Sequence, residues 1–137
     1  MRMQNAEIFQ LIGGMAMDCL FCKIIAGEIP CKKAYEDDDV LAFYDIHPAA
    51  PVHILIIPKA HIGGAAEITG ENSGVVSWCF EAANRIAQAL DIKDFRIVTN
   101  NGPAAGQTVG HLHFHLLAGR ALGQMVSPDP CSLPPDS

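Results

Sequence analysis

Residues 110–117 read Gly-His-Leu-His-Phe-His-Leu-Leu, and three of the six histidines of the chain stand there at every second position. Imidazole titrates near neutral pH, binds metals, and can attack phosphorus and leave again, so such a row can carry chemistry. On a strand, alternate side chains share a face. That sends His111, His113 and His115 one way and Leu112, Phe114 and Leu116 into a core. Three uses fit. The row could bind a metal, although adjacent histidines on a strand diverge and no carboxylate accompanies them. It could be structural, each ring satisfied by backbone carbonyls. Or one ring could be a nucleophile whose neighbours fix its tautomer and meet an anionic substrate. The residues alone leave all three open.

Cys19 and Cys22 form a second constellation, a Cys-x-x-Cys pair, while Cys31, Cys79 and Cys131 stand singly among five cysteines. An odd count and the lack of a secretory-signal pattern favour a reducing compartment, and a metal or redox role for the pair over a disulfide framework. A redox pair would need a thioredoxin-like βαβ setting that this chain lacks. The structural use is two buried thiols flanking Phe21.

Positioning such groups requires a sheet. Residues 32–36 (KKAYE) and 40–44 (VLAFY) read as a hairpin around a solvated Asp37-Asp38-Asp39 turn. Residues 53–57 (HILII), closed by Pro58, read as a buried strand. From 71 to 90 the apolar residues Val75, Val76, Cys79, Phe80, Ala83, Ile86, Ala87 and Leu90 recur at helical spacing. Residues 95–99 and 110–117 read as further strands, joined through a Gly/Pro/Ala loop at 102–106. The expected fold is α+β: an antiparallel sheet of about five strands, one long helix and a short N-terminal helix, with the helices on one face.

The chain has 137 residues, half of them apolar and 18% charged, which suits one compact domain. With a net charge of −6 and no basic run, sequence-independent nucleic-acid binding is not expected. No apolar stretch approaches the roughly 20 residues that span a bilayer, so no membrane association is expected. Residues 1–17 are expected to be an extension ahead of a domain at 18–122, with an amphipathic organellar targeting segment as the alternative. Residues 123–137 are expected to form an irregular, Pro-rich tail. The expected location is the cytoplasm, or the nucleus.

Taken in order, these motifs resemble the histidine triad (HIT) superfamily, whose signature His-x-His-x-His-x-x stands here at 111–117. The resemblance extends from Asp18-Cys-Leu-Phe-Cys-Lys-Ile-Ile-Ala-Gly-Glu-Ile-Pro through Leu41-Ala-Phe-Tyr-Asp-Ile and His53-Ile-Leu-Ile-Ile-Pro-Lys-Ala-His to Leu117-Ala-Gly-Arg. It looks closest to the Hint-like branch of purine nucleoside phosphoramidate hydrolases. The galactose-1-phosphate uridylyltransferase branch has Gln at the third histidine, which this chain does not.

The resemblance implies that His113 attacks the α-phosphate of a purine nucleotide conjugate of AMP or GMP type, forming a nucleotidyl-histidine that water hydrolyses. His115 and His53 would orient phosphate and imidazole. Asn100, Gly106, Gln107 and Thr108 would line the phosphate site, with Thr108 donating to the leaving group from a position where relatives usually carry Ser. Asp45 would accept the ribose hydroxyls, with Ile46 beside it. Cys19, Cys22, His61 and His111 would hold a structural Zn2+, and no organic cofactor is implied. A homodimer is implied through the long helix and the strand at 95–99, with apolar helix surface around Trp78, Val76 and Phe80 left for a second subunit. The Trp-bearing C-terminal segment of many relatives is replaced here by Gly123-Gln-Met-Val and the Pro-rich end; the single tryptophan is Trp78. The alternatives are a dinucleoside polyphosphate hydrolase, as in the Fhit branch, and a non-catalytic nucleotide-sensing scaffold.

Overall fold

The computed structural model describes residues 19–125. The expectations for 1–17 and for most of the tail fall outside the described residues. Helix α1 spans Leu20–Ile25, and the strands are β1 (Lys33–Glu36), β2 (Val40–Tyr44), β3 (Val52–Pro58), β4 (Arg96–Val98) and β5 (Phe114–Ala118), with helix α2 (Gly74–Ala89) between β3 and β4. All five strands lie in one sheet of order β1-β2-β3-β5-β4, and every pairing is antiparallel. The α+β architecture expected from the pattern is the one observed.

Strand alternation builds two cores. Val40, Ala42, Ile54, Ile56, Phe114 and Leu116 face α2, where Val75, Cys79, Ala82, Ala83 and Ile86 meet them. Leu41, Phe43, Leu55 and Ile57 face the other way and pack on Cys19, Phe21 and Cys22 of the N-terminal segment. Covered on both sides, β3 must be apolar at successive positions, which is why its interior reads Ile-Leu-Ile-Ile. The expectation that both helices share a face is therefore corrected: α1 lies opposite α2. A helix of six residues shows too little periodicity to announce its partner.

The start of the long helix also differs from the pattern. Helix α2 begins at Gly74 rather than 71, because Asn72 Oδ1 accepts from the Thr69 N–H and the Ser73 N–H bonds Thr69 O, closing a turn first. The Asp37-Asp38-Asp39 turn is organised by Asp37, whose Oδ1 accepts the N–H groups of Asp39 and Val40 at 2.7 and 2.8 Å. None of the described helices is long and apolar enough to cross a membrane.

Candidate active site and metal centre

The histidine row lies on the α1 side of the sheet, and only its last member belongs to the β ladder. His115 pairs with Leu55 in the β3–β5 register, whereas His111 and His113 stand on the segment leading into β5. A local hydrogen bond from the His111 N–H to Val109 O, at 2.9 Å, delays the strand. Leu112, Phe114 and Leu116 nonetheless enter the core as alternation requires. Phe21 of α1 covers the row, its ring meeting those of His111 and His113 edge-on at 5.9 and 5.1 Å.

Hydrogen bonds assign the proton on each ring, since every nitrogen that meets a carbonyl must donate and every nitrogen that meets an N–H must accept. His113 Nδ1 lies 2.7 Å from the His111 carbonyl and donates to it, which leaves the Nε2 lone pair free. His53 Nδ1 accepts from the Ala49 N–H at 3.0 Å, so its proton is on Nε2 and is donated to His115 Nδ1 at 2.9 Å. His115 then carries its own proton on Nε2. The site thus pairs an imidazole lone pair on His113 with an N–H donor on His115, the two rings centred 5.0 Å apart. Burial pushes the pKa of His113 below the ordinary imidazole value, which keeps that lone pair available at neutral pH. Burial first, and then the neighbouring His113 and His53, push His115 down to about 4. His53 is lowered by burial, with Asp45 opposing.

Asp45 reaches the same spot from the end of β2. Its Oδ1 accepts the His47 N–H at 2.7 Å, and its Oδ2 lies 3.5 Å from His53 Nε2. Asp45, His53 and His115 could together present three ligand atoms within 4.8 Å, but the two rings already satisfy each other through the 2.9 Å bond. Ile46 projects beside Asp45 and is 87% exposed.

The loop at 100–109 approaches from the β4 side. Gly106 adopts φ +103 in the left-handed region and packs against the Asn100 carboxamide, a conformation that a side chain would strain. Thr108 is exposed at the edge of this loop. Gln107 anchors this loop through its side chain. Its Nε2 donates to Gly63 O at 2.7 Å and to Val109 O at 2.9 Å, and its Oε1 accepts the Gly102 N–H. Its side chain therefore staples two loops together. Sequence reasoning missed three supports: Phe21 over the row, Pro58 O accepting from His111 Nε2 at 2.9 Å, and Thr99 Oγ1 donating to the His113 carbonyl at 2.8 Å. Backbone acceptors leave no mark in a residue pattern.

Next to the row, Cys19, Cys22, His61 and His111 converge, with their ligand atoms all within 4.8 Å of one another. Cys19 Sγ and Cys22 Sγ lie 3.4 and 3.6 Å from His111 Nδ1, and Cys22 Sγ is 3.2 Å from His61 Nδ1. A tetrahedral centre with ordinary Zn–S and Zn–N bonds would place ligand atoms roughly 3.3–3.8 Å apart, so the donor set fits such an ion. His111 is oriented for this, because its Nε2–H donates to Pro58 O and turns the Nδ1 lone pair toward the sulfurs. A hydrogen bond from Cys22 pulls the Cys19 pKa down, and the same contact, with burial, pushes Cys22 up.

Fold and site together define an α+β protein whose histidine row is divided between a cluster of two cysteines and two histidines that could hold a metal ion and a group of neighbouring rings, His113, His115 and His53. A family model described as the HIT domain matches residues 26–122, and the chain belongs to that family. It is 41% identical over 115 residues to the purine nucleoside phosphoramidase of Escherichia coli K12, covering 82% of this chain and 97% of that protein. A HIT-like protein of Synechococcus elongatus is 48% identical over 109 residues, covering 79% and 96%. Among solved structures, a HIT family hydrolase from Clostridium thermocellum superposes with a TM-score of 0.77 at 49% identity, covering 80% of this chain and 97% of the other. A histidine triad protein from Clostridium difficile gives 0.76 at 47%, covering 79% and 96%.

Proposed function

We propose that the protein hydrolyses purine nucleoside 5′-phosphoramidates or related nucleotidyl conjugates through a covalent intermediate on His113. The observation that carries this is the tautomer of His113: its Nδ1 proton is committed to the His111 carbonyl, so Nε2 is a neutral, buried nucleophile. Attack by Nε2 on the α-phosphorus breaks the bond to the leaving amine and turns the imidazole into a cation. The Nδ1–H bond to His111 O then becomes charge-assisted and stabilises that cation. His115 Nε2–H faces the phosphate as a donor, and the Thr108 hydroxyl or a water supplies the proton that the amine takes away. Water next attacks the same phosphorus and releases a proton that replaces the one given to the amine, the phosphorus–nitrogen bond to His113 breaks with its electron pair returning to Nε2, and the nucleoside monophosphate leaves. Asp45, acceptor-only when ionised, suits a ribose diol, with exposed Ile46 as an apolar support for the base. The 41% identical relative named as a purine nucleoside phosphoramidase supports this choice of substrate.

The four-donor centre would hold Zn2+. With four protein ligands the ion would have no open position, so its chemistry is structural. A homodimer, built through α2 and the edge strand β4, completes the reading.

Incubation with adenosine 5′-phosphoramidate, acid quenching and peptide mass spectrometry test the mechanism. An adenylated peptide containing His113 is expected, together with a loss of turnover of at least about a thousandfold in His113→Ala. Turnover of His113→Ala within tenfold of wild type would overturn the covalent route.

A further inference from the structure

We propose that Arg120 is a positioning residue for the reactive histidines, acting through the Ala49 backbone to fix the tautomer of His53 and, through it, that of His115. The proposal deepens the reading of His113 and His115 as the reacting pair. Arg120 closes the Leu117-Ala-Gly-Arg motif, and no role in the chemistry described above falls to it. Its Nη2 donates to Ala49 O at 3.1 Å, and its Nη1 donates to Ala121 O at 2.9 Å, which ties the guanidinium down. From Ala49 the path continues through hydrogen bonds alone. The Ala49 N–H donates to His53 Nδ1 at 3.0 Å, and His53 Nε2–H donates to His115 Nδ1 at 2.9 Å.

The loop between β2 and β3 is built to transmit this anchor. Pro48 and Pro51 each lock one backbone torsion, and Ala50, which precedes Pro51, is biased toward extended backbone and is buried. Few soft torsions remain around Ala49. Gly119 presses on the same loop with φ +100, and a Cβ there would come within 2.7 Å of Pro51 Cβ, so the loop and the segment after β5 touch backbone to ring. With its carbonyl held by Arg120, Ala49 keeps its N–H aimed at His53.

Loss of that donor reverses the proton order. His53 Nδ1 would then be free to carry the proton, leaving Nε2 as an acceptor opposite His115 Nδ1. Two acceptors cannot share a hydrogen bond, so His115 would shift its own proton to Nδ1 to restore it. His115 Nε2 would then present a lone pair, not a donor, to the phosphate. The number of protons is unchanged; their placement is wrong for the reaction. Arg120 is exposed and outside both cores, so it acts by geometry and can be changed without disturbing the fold.

Uniformly 15N-labelled full-length protein gives the direct readout. Long-range 1H–15N imidazole spectra should show His53 and His115 protonated at Nε2 in the wild type and a mixture of tautomers in R120M, with melting temperatures close together. On adenosine 5′-phosphoramidate, R120M should lose about tenfold in kcat with KM little changed, and R120K, which keeps one donor, should recover part of the loss. Wild-type tautomers in R120M overturn the proposal, as does an unchanged kcat. If the wild type turns over no phosphoramidate, the functional reading fails, and the imidazole spectra still decide the role of Arg120.

Discussion

At the scale of single residues, the site depends on rings that stay neutral. His115 sits at about 4 because burial, and then the neighbouring rings of His113 and His53, penalise its charged form. An ordinary histidine titrates near 6.5, so between pH 6.5 and 4 the unfolded chain binds a proton at this position that the native state refuses. Stability is then full above about 6.5 and declines as the pH falls toward 4. Melting temperatures across this window should drop more steeply for the wild type than for His115→Gln, which cannot titrate; equal slopes would show that His115 takes no part. On the proposed mechanism, neutral His115 is the competent form. The part of the kcat/KM profile that His115 controls should therefore fall only as the pH nears 4, with the lowered His113 setting any limb between that and the ordinary imidazole value, while an acid limb centred at 6.5 or above would place a group outside this pair in control. His115→Ala should cost less than His113→Ala, because it removes a donor and not the bond-forming atom.

At the scale of elements, α1 is too short to persist alone, and its place is set by what its residues grip. Cys19 caps it, its Sγ accepting the Cys22 N–H, while Phe21 inserts between Phe43 and the histidine row. A metal at Cys19, Cys22, His61 and His111 would clamp this helix to β3 and to the entry of β5. Protein purified without chelators should carry about one zinc per chain. Cys22→Ser should lower both metal content and melting temperature, and a chelator should lower stability before it slows the chemical step. Metal-free protein with unchanged melting would mean that the thiols serve only as packing. This element also shows where the sequence is readable. The shared face of the three histidines follows from a period of two, and β2 follows from its apolar run between turn residues. The convergence of Cys19 and His111, 92 residues apart, is visible only through family likeness, since no local pattern encodes it. The contact between Arg120 and Ala49 O, 71 residues apart, has no pattern at all, because a backbone carbonyl is the same in every residue.

At the scale of the whole molecule, the surface carries an unspent edge and an unspent patch. Strand β4 is three residues long and ends the sheet, and among the described residues no strand pairs with its outer side. On α2 Phe80 is 48% exposed, resting edge-on against Phe114 of β5 at 5.5 Å, and beyond the helix Leu90 and Phe95 are 43% and 38% exposed. Trp78 is half-buried against the α2 core, so among the described helix residues the exposed aromatic is Phe80. A two-fold axis beside β4 would join two sheets into one and cover Phe80 with its counterpart, removing both liabilities at once. Light scattering at micromolar concentration should give twice the 14.7 kDa of a single chain. Phe80→Glu should shift this mass to the monomer, because it would bring like-charged carboxylates from the two protomers together near the axis. A wild-type mass near one chain would reject the dimer, and a dimer that survives Phe80→Glu would put its interface on another face.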